Sequence, residues 1–348
     1  MLTFLLKRFI QALMVVVAIS VVGFLLQGAL GDPIQQLLGA SASDAERAAL
    51  REAMGLNDPL WRQYLHFACS ALQLDFGDST FFHQPTLSIL ARYLPATAEL
   101  IFASAVLTLL LSFPIGIYAA IRPTAALSRF FMGVSVLGIS IPVFLTAIGL
   151  IQFFSIGVSV TLFPDATPWG HWLNDLLSTR GGMPAYGRGN PEHVIGVWYT
   201  NFASWKGLSY IALPALSLAS VMLPLFVRLI RAEMVEILAS DYVRFARAKG
   251  LTPARIYTVH ALKNALLPVI TLGGMQFGSL LAYTLLTETV FQWPGLGLMF
   301  LDAVERADMP LITTCLMVAG FFFVVINTLI DLTYRLLNPR IALQMEPR

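Results

Sequence analysis

Six long stretches of the chain are almost uninterrupted runs of apolar residues, and the polar residues concentrate between them. The runs cover residues 9–30, 97–121, 130–157, 210–230, 266–286 and 311–329. A helix of about 20 apolar residues is long enough to cross the hydrocarbon of a bilayer. The pattern therefore predicts an all-α, polytopic membrane protein whose transmembrane bundle has six helices.

The composition agrees with this prediction, because 57% of the 348 residues are hydrophobic and only 12% are charged. A soluble domain of this length does not need so large an apolar fraction. The first run follows Lys7 and Arg8 like a signal peptide, but it exceeds the usual length of about 7–15 residues and no small-residue cleavage pattern ends it. We therefore expect an uncleaved anchor. Cys69 and Cys315 would lie at different depths, so we expect no disulfide framework.

The distribution of charge between the runs predicts the orientation in the membrane. With the N-terminus inside, the inner segments carry 14 of the 22 Lys and Arg residues but only five of the 20 Asp and Glu residues. Short cytoplasmic loops carry an excess of Lys and Arg. We therefore expect both termini to be cytoplasmic.

The segments between the runs differ in character, although the chain reads as one membrane domain over residues 1–348. We predict an ordered outer loop over 31–95, because it contains helix caps, and an irregular outer insert over 158–207, because it is rich in Gly and Pro. All six tryptophans fall on the outer side, as either an interfacial aromatic belt or a docking surface. They are Trp61, Trp169, Trp172, Trp198, Trp205 and Trp293.

The outer loop carries its own helix signals. Ser43 followed by Glu46 forms a capping box, and Gly55 can end that helix at the C′ position. Asp58 and Pro59 then read as the N-cap and first residue of a second helix. These signals predict two helices against the outer face of the membrane.

A basic cytoplasmic segment over 231–265 separates the fourth and fifth runs. Ser240 or Asp241 can cap a helix whose last turn carries Arg247 and Lys249, and Gly250 can sit at C′. Basic residues in the last turn are favourable for the helix dipole. The pattern predicts a helix that projects from the membrane and ends in a glycine corner.

A second helix is predicted after the corner, with Thr252 and Pro253 as its N-cap and first residue. In the first helix Tyr242, Phe245 and Ala246 lie at i, i+3 and i+4 and form an apolar face beside the basic one. Such a face fits either an anionic lipid surface or a groove in a protein.

Particular sequence runs resemble a known family. The run DYVRFARAKGL at 241–251, followed by HALKNALLPVIT at 260–271, resembles the cytoplasmic coupling segment of ABC-type import permeases of the dipeptide/oligopeptide branch. Further runs along the chain also resemble this branch. They are LGDP at 30–33, MGLNDPLWRQYL at 54–65, LPATAEL at 94–100, ETVFQWPGLG at 288–297 and NTLIDLTYRLLNPRI at 327–341.

The resemblance implies a bundle of the ABC type I importer permease kind in a bacterial inner membrane, importing a small solute, with a peptide as the first expectation. The implied partners are a second homologous permease, two cytoplasmic ABC ATPases that bind ATP, a periplasmic or extracellular substrate-binding protein and membrane lipid, but no nucleic acid. The residues implied to couple to the ATPase are Asp241, Tyr242, Arg244, Phe245, Ala246, Arg247, Lys249 and Gly250. We assign no residue to the substrate pathway.

The chain lacks the motifs of an enzyme. None of its four lysines follows a glycine, so it has no P-loop, and neither an HExxH zinc pattern nor a GxSxG elbow occurs. We expect no catalytic, cofactor-binding or metal-binding residue, and we expect ATP to be bound by partner subunits.

Two other classes of protein remain open, an ion-coupled secondary transporter and a membrane receptor or scaffold without transport. Ion coupling normally requires acidic or histidine relays deep in the spans, whereas Glu99, Glu288 and Asp331 lie toward span ends. Asp331 has Arg335 at i+4 as a pairing partner. The runs also contain prolines that predict kinks, serving either a pathway or packing. They are Pro114, Pro142, Pro214 and Pro224.

Overall fold

The computed structural model of the chain describes residues 2–29, 34, 43–53, 55–158, 174, 178–196 and 198–337. The chain separates into two compact units. One comprises Met1–Pro95 with Gly295–Thr328, and the other comprises Ala96–Pro294 with Leu329–Arg348.

Helices form most of the described chain. In chain order they are α1 (Leu2–Ala29), α2 (Asp44–Ala53), α3 (Leu60–Leu72), α4 (Thr86–Ile121), α5 (Ala126–Ser140), α6 (Val143–Leu150), α7 (Trp205–Ala239), α8 (Asp241–Ala248), α9 (Pro253–Arg255), α10 (Leu262–Phe291), α11 (Leu296–Glu305) and α12 (Met309–Leu337). Two π-helical segments, Ile151–Ile156 and Ile256–Ala261, continue α6 and precede α10.

The helices confirm the predicted fold class. Among the described residues, α4, α7 and the part of α12 over Met309–Ile330 are long and apolar enough to cross a membrane. Two bent pairs pass the same test as pairs, and α1 has a shorter apolar section over Ile10–Leu26. Each of the six apolar runs of the sequence falls on one of these helices or pairs.

The third run is broken at Pro142, one of the prolines that predicted a kink. The axes of α5 and of Val143–Ile156 differ by 114°. Pro142 has no amide hydrogen to donate, and a residue before proline is driven out of the helical region. Ile141 accordingly has φ −89° and ψ 123°. Pro214 and Pro224, in contrast, lie inside the continuous helix α7.

The core of the second unit forms around α7. Fully buried residues of α7, among them Leu218, Met222 and Ile230, pack with apolar residues of α4 and α10. A Cβ atom at Gly116 would lie 2.8 Å from the Cβ atom of Ile230, so glycine allows α4 to approach α7 closely. Trp293, predicted to lie with the other tryptophans at an outer surface, is instead fully buried in this core.

Short strands interrupt the otherwise irregular structure of the described part of the outer insert. They are β1 (Gly157–Val158), β2 (Thr179–Arg180), β3 (Glu192–Ile195) and β4 (Trp198–Thr200). The strands form two antiparallel pairs, β1 with β2 and β3 with β4. The β-prone residues Val194, Trp198 and Tyr199 explain the second pair. Trp169 and Trp172 lie outside the described residues.

In the first unit, the predicted helices of the outer loop are present. The capping box at α2 is formed: the Ser43 amide and hydroxyl both donate to Glu46 Oε2, at 2.9 and 2.8 Å. These hydrogen bonds from Ser43 lower the pKa of the exposed Glu46 carboxyl. Gly55 has φ +67° after α2. The following helix α3 begins one residue later than predicted, with Pro59 rather than Asp58 at the N-cap.

Candidate functional site

The basic segment begins where α7 ends. Ser240 adopts an extended conformation between α7 and α8, with φ −69° and ψ 154°. Ser240 occupies the N-cap position of α8, as one of the two predicted alternatives placed it, but its hydroxyl donates back to the Ile237 carbonyl and makes no capping hydrogen bond to α8. Asp241 lies in the first turn, where a carboxylate is favourable for the helix dipole, and one of its oxygens is 3.4 Å from the Arg244 guanidinium. Both side chains of this pair are exposed.

A glycine corner ends α8, as predicted. Gly250 has φ +74°, in the left-handed region that favours glycine. Its amide donates to the Arg247 carbonyl at 2.9 Å, and the Leu251 amide donates to the Ala246 carbonyl at 3.3 Å. This pair of bonds is the Schellman motif, and it satisfies carbonyls that the helix end would otherwise leave unpaired.

One face of α8 is buried within the segment itself. Val243 and Ala246 pack with Ile256 in a small apolar cluster that also includes Leu251. Ala246 was predicted to contact a partner, but this cluster buries it and places it on the inner face. Val243, three residues before Ala246, was missed. The sequence feature that could have indicated its burial is the i, i+3 spacing of Val243 and Ala246. That spacing shows which face of α8 is buried only when Ile256 is known to pack against it.

The opposite face of α8 is exposed and basic. Phe245 is 62% exposed, and the Lys249 ammonium lies 4.6 Å from the centroid of its ring. Arg244 and Arg247 are exposed on the same helix. The exposed surface of α8 therefore offers an apolar ring with the Lys249 ammonium beside it, two arginines on the same helix, and Asp241 as the acidic residue of α8. An acidic groove with an apolar floor has the complementary chemistry.

Tyr242 joins α8 to the start of α10. Its hydroxyl accepts from Asn264 Nδ2 at 2.8 Å and donates to the His260 carbonyl at 3.3 Å. Thr252 and Pro253 occupy the N-cap and N1 positions of the intervening helix α9, as predicted. Asn264 was not among the predicted site residues, although it lies within the run HALKNALLPVIT. The helix α8 is thus fixed to its own scaffold by an apolar cluster and by a polar contact.

Two of the acidic residues near the span ends, Glu99 and Glu288, have buried polar partners within the second unit. Glu99, 3% exposed, accepts from Arg188 Nη2 at 2.6 Å and from Arg188 Nε at 3.2 Å. Its other oxygen accepts from the Thr200 hydroxyl at 2.7 Å and from the Asn201 amide. Four donors therefore compensate this buried carboxylate. The arrangement attaches the outer insert to α4.

Glu288 is fully buried and accepts from the Thr97 hydroxyl at 2.6 Å. The Arg188 guanidinium lies 5.7 Å from the centroid of Trp293, whose indole N–H donates to the Ala96 carbonyl. These contacts give both acids a structural role. The predicted pair of Asp331 and Arg335 lies outside the described side chains.

The described residues contain no cluster of three or more His, Cys, Asp or Glu side chains that could hold a metal ion. The site on α8 consists of cations, the exposed rings of Tyr242 and Phe245, and hydrogen-bonding groups. Such a surface can bind a partner and transmit a force, because α8 is held on two sides.

Comparison with known families shows two matches that together extend over most of the chain. Residues 112–343 match the family described as "Binding-protein-dependent transport system inner membrane component". Residues 1–101 match the N-terminal family of the same membrane component. The first match alone covers more than half of the chain, and it includes all of α8 and the glycine corner.

Curated relatives match over nearly their whole length. The dipeptide transport system permease protein DppB of Escherichia coli strain K12 is 34% identical over 312 residues, 89% of this chain and 90% of the relative. DppB of Alkalihalophilus pseudofirmus is 30% identical, with 98% of this chain and 99% of the relative covered. The glutathione transport system permease protein GsiC of Shigella flexneri is 32% identical, again with 98% and 99% covered.

A solved structure shows a similar fold. A chain of the MetNI methionine ABC transporter, in its inward-facing conformations, aligns with a TM-score of 0.52 and 17% identity over 72% of this chain and 97% of that chain. The fold agrees with that of an ABC importer permease, and the relatives are permease subunits, which transport without an ATPase site of their own. The chain is therefore a multi-pass inner-membrane protein that belongs to the family of binding-protein-dependent transport system inner membrane components.

Proposed function

We propose that this chain is the permease subunit of a peptide importer and that α8 is the element through which partner ATPases drive it. The partners are a second homologous permease, two cytoplasmic ATPases that bind the ATP, and an extracytoplasmic substrate-binding protein. Relatives named for dipeptide and for glutathione transport support a short peptide or peptide-like solute as the substrate. Both termini face the cytoplasm, as the distribution of Lys and Arg indicates.

The observation that carries the proposal is the two-sided construction of α8. Its inner face, Val243 and Ala246, is buried against the chain's own residues, whereas its outer face presents an exposed Phe245 beside Arg244 and Arg247. An exposed aromatic ring with arginines is typical of a protein interface. A helix that only lay on lipid would not require a tyrosine contact and a helix-end motif to hold its orientation.

The proposed mechanism is mechanical. The outer face of α8 seats in a groove of one ATPase, with Phe245 as the apolar contact and Arg244, Arg247 and Lys249 fixing the orientation by charge. When ATP closes the ATPase pair, α8 moves as a rigid element. The apolar cluster carries the motion to α7, and the Tyr242 contact with Asn264 carries it to α10. The change in the tilt of these helices opens the path outward, and ATP hydrolysis resets it.

The test is charge reversal on the outer face. We expect a variant carrying Arg244→Glu and Arg247→Glu to lose copurification of the ATPase while remaining in the membrane, because both substitutions lie at exposed positions. The matched control carries Arg122→Glu and Arg129→Glu, which are also exposed and lie on the same predicted side, Arg122 directly after α4 and Arg129 in the first turn of α5. The control should retain the ATPase.

Unchanged ATPase copurification in the α8 variant, together with weaker binding to anionic vesicles, would overturn the proposal. In that case α8 would be a helix that lies on the membrane surface.

A further inference from the structure

The short helix α3 packs on α1 within the first unit through two aromatic side chains. The Phe24 ring centroid is 5.7 Å from that of Tyr64 in an edge-to-face arrangement and 6.0 Å from that of Phe67. The Ser20 and Tyr64 hydroxyls lie 2.8 Å apart. Residues 64 and 67 therefore define the face of α3 that α1 covers.

The contact points on α1 indicate the depth at which α3 lies. The apolar run that α1 carries covers residues 9–30 of the sequence, and both Ser20 and Phe24 fall inside it. At about 1.5 Å per residue, Phe24 lies about 9 Å before the end of this run and Ser20 about 15 Å before it. The helix α3 therefore lies beside apolar α1 surface, at the level of the hydrocarbon or of its boundary.

The remaining surface of α3 is divided between an apolar and a polar face. The apolar stripe consists of Trp61, Leu65, Ala68 and Leu72, which follow the helical spacing i, i+4, i+7 and i+11. Three of these are large and exposed, with exposed fractions of 59% for Trp61, 51% for Leu65 and 85% for Leu72. The polar face carries Arg62, Gln63, His66 and Ser70, and these four residues line an open pocket with the turn at Gly55 and Asp58.

We propose that α3 lies in the leaflet at the C-terminal end of α1, with its stripe of Trp61, Leu65, Ala68 and Leu72 covered by lipid acyl chains. In the proposed orientation this is the outer leaflet. The helix has 13 residues and is too short to cross the bilayer, whereas a helix with one apolar and one polar face lies in the interface.

Two observations indicate lipid as the occupant of the stripe. Apolar residues of α1 close in sequence to Phe24 are also exposed, namely Val22 and Leu25. At the edge of the stripe, the Arg62 guanidinium lies 5.2 Å from the centroid of Trp61. An arginine beside a tryptophan suits the headgroup level, where the ring is partly buried and the cation can reach phosphate.

The test compares two neighbouring positions on different faces of α3. A nitroxide is attached at Leu65→Cys or at His66→Cys in full-length protein that carries Cys69→Ser and Cys315→Ala, reconstituted in phosphatidylethanolamine vesicles with a minority of phosphatidylglycerol. We expect the label at 65 to be relaxed strongly by oxygen, which concentrates in acyl chains, and weakly by an aqueous nickel chelate. The label at 66 should show the reverse. A label at Ala48→Cys on the exposed helix α2 is the aqueous reference.

Strong relaxation of the label at 65 by the nickel chelate would overturn the proposal, since the stripe would then face water. Weak relaxation by both agents would overturn it in favour of a protein that covers the stripe. A second measurement does not require cysteine substitutions. Brominated acyl chains should quench more of the tryptophan emission of the unaltered chain than of a Trp61→Phe variant, and equal quenching would contradict the proposal.

Discussion

At Gly250 the backbone enters the left-handed region at the end of α8, and the surrounding space is open. A Cβ atom there would meet no other atom within 4 Å. The requirement for glycine is therefore one of backbone conformation rather than of packing, and this distinction determines which substitutions the corner tolerates.

We expect Gly250→Val to impair transport and Gly250→Asn to be nearly neutral. A β-branched residue costs about 1–2 kcal/mol in this conformation, which corresponds to roughly a 5- to 30-fold loss of the native corner, whereas asparagine adopts it readily. The measurement is ATP-driven peptide uptake by reconstituted complexes at equal protein levels. Equal uptake by the two variants would show that the conformation of the corner does not matter for coupling.

Residue-level features with a local cause could be predicted from the sequence. The corner at Gly250 and the capping box of Ser43 and Glu46 depend on neighbours within a few residues, and both are present. The burial of Ala246 could not be predicted, because it depends on Ile256, which the corner brings back against α8. Helical spacing defines a face, but it does not decide whether the protein itself covers that face.

At the scale of elements, Tyr242 and Asn264 connect α8 directly with α10. The Tyr242 hydroxyl makes two hydrogen bonds there, one from Asn264 and a longer one to the His260 carbonyl, and a hydrogen bond contributes about 0.5–1.5 kcal/mol net. A contact of this size does not determine whether the protein folds. It can, however, determine how much of a movement of α8 reaches α10.

We therefore expect Tyr242→Phe to raise the amount of ATP hydrolysed per peptide imported, without loss of ATPase copurification. Tyr257→Phe removes a hydroxyl from the same segment and is the matched control. Because the readout is a ratio, lower expression alone cannot produce the effect. If the Tyr242→Phe complex retains its ATPase and hydrolyses a normal amount of ATP per peptide, the Tyr242 contact does not take part in coupling. That result would not contradict the proposed binding of α8 to the ATPase.

A second connection between elements is the buried pair of Glu99 and Arg188. Removing one partner of a buried, hydrogen-bonded ion pair costs about 3–5 kcal/mol, because the other charge stays buried without compensation. We expect Glu99→Gln and Arg188→Met each to lower the unfolding temperature of the detergent-solubilised protein strongly. The unfolding temperature of the double variant should fall by much less than the sum of the decreases in the two single variants. Additive losses would show that the two side chains act independently.

Contacts between elements that are distant in sequence, such as this pair, could not be predicted. Glu99 and Arg188 are 89 positions apart, and the insert gave no pattern that indicated Arg188 as the partner. The break at Pro142 is an intermediate case, since the proline itself was noted as a kink. The apolar run did not indicate that the chain would turn there by as much as 114°.

For the whole molecule, the decisive question is the source of energy. We expect uphill uptake of a peptide into vesicles to require the ATPases, the binding protein and ATP, and to persist when ionophores collapse the proton and sodium gradients. The buried acids Glu99 and Glu288 support this expectation, because both are held by hydrogen bonds and neither is arranged as a relay. Uphill uptake without the ATPases would make the chain a secondary carrier.

The inward burial of Val243 and Ala246 also bears on how related importers could diverge within one cell. Since α8 folds through these two positions and the corner, its outward residues Arg244, Phe245 and Arg247 carry little of the folding constraint. On the proposed seating of α8, substitution there changes which ATPase is accepted without destabilising the segment. A duplicated transporter could thus come to use a different ATPase subunit through changes in a few exposed side chains.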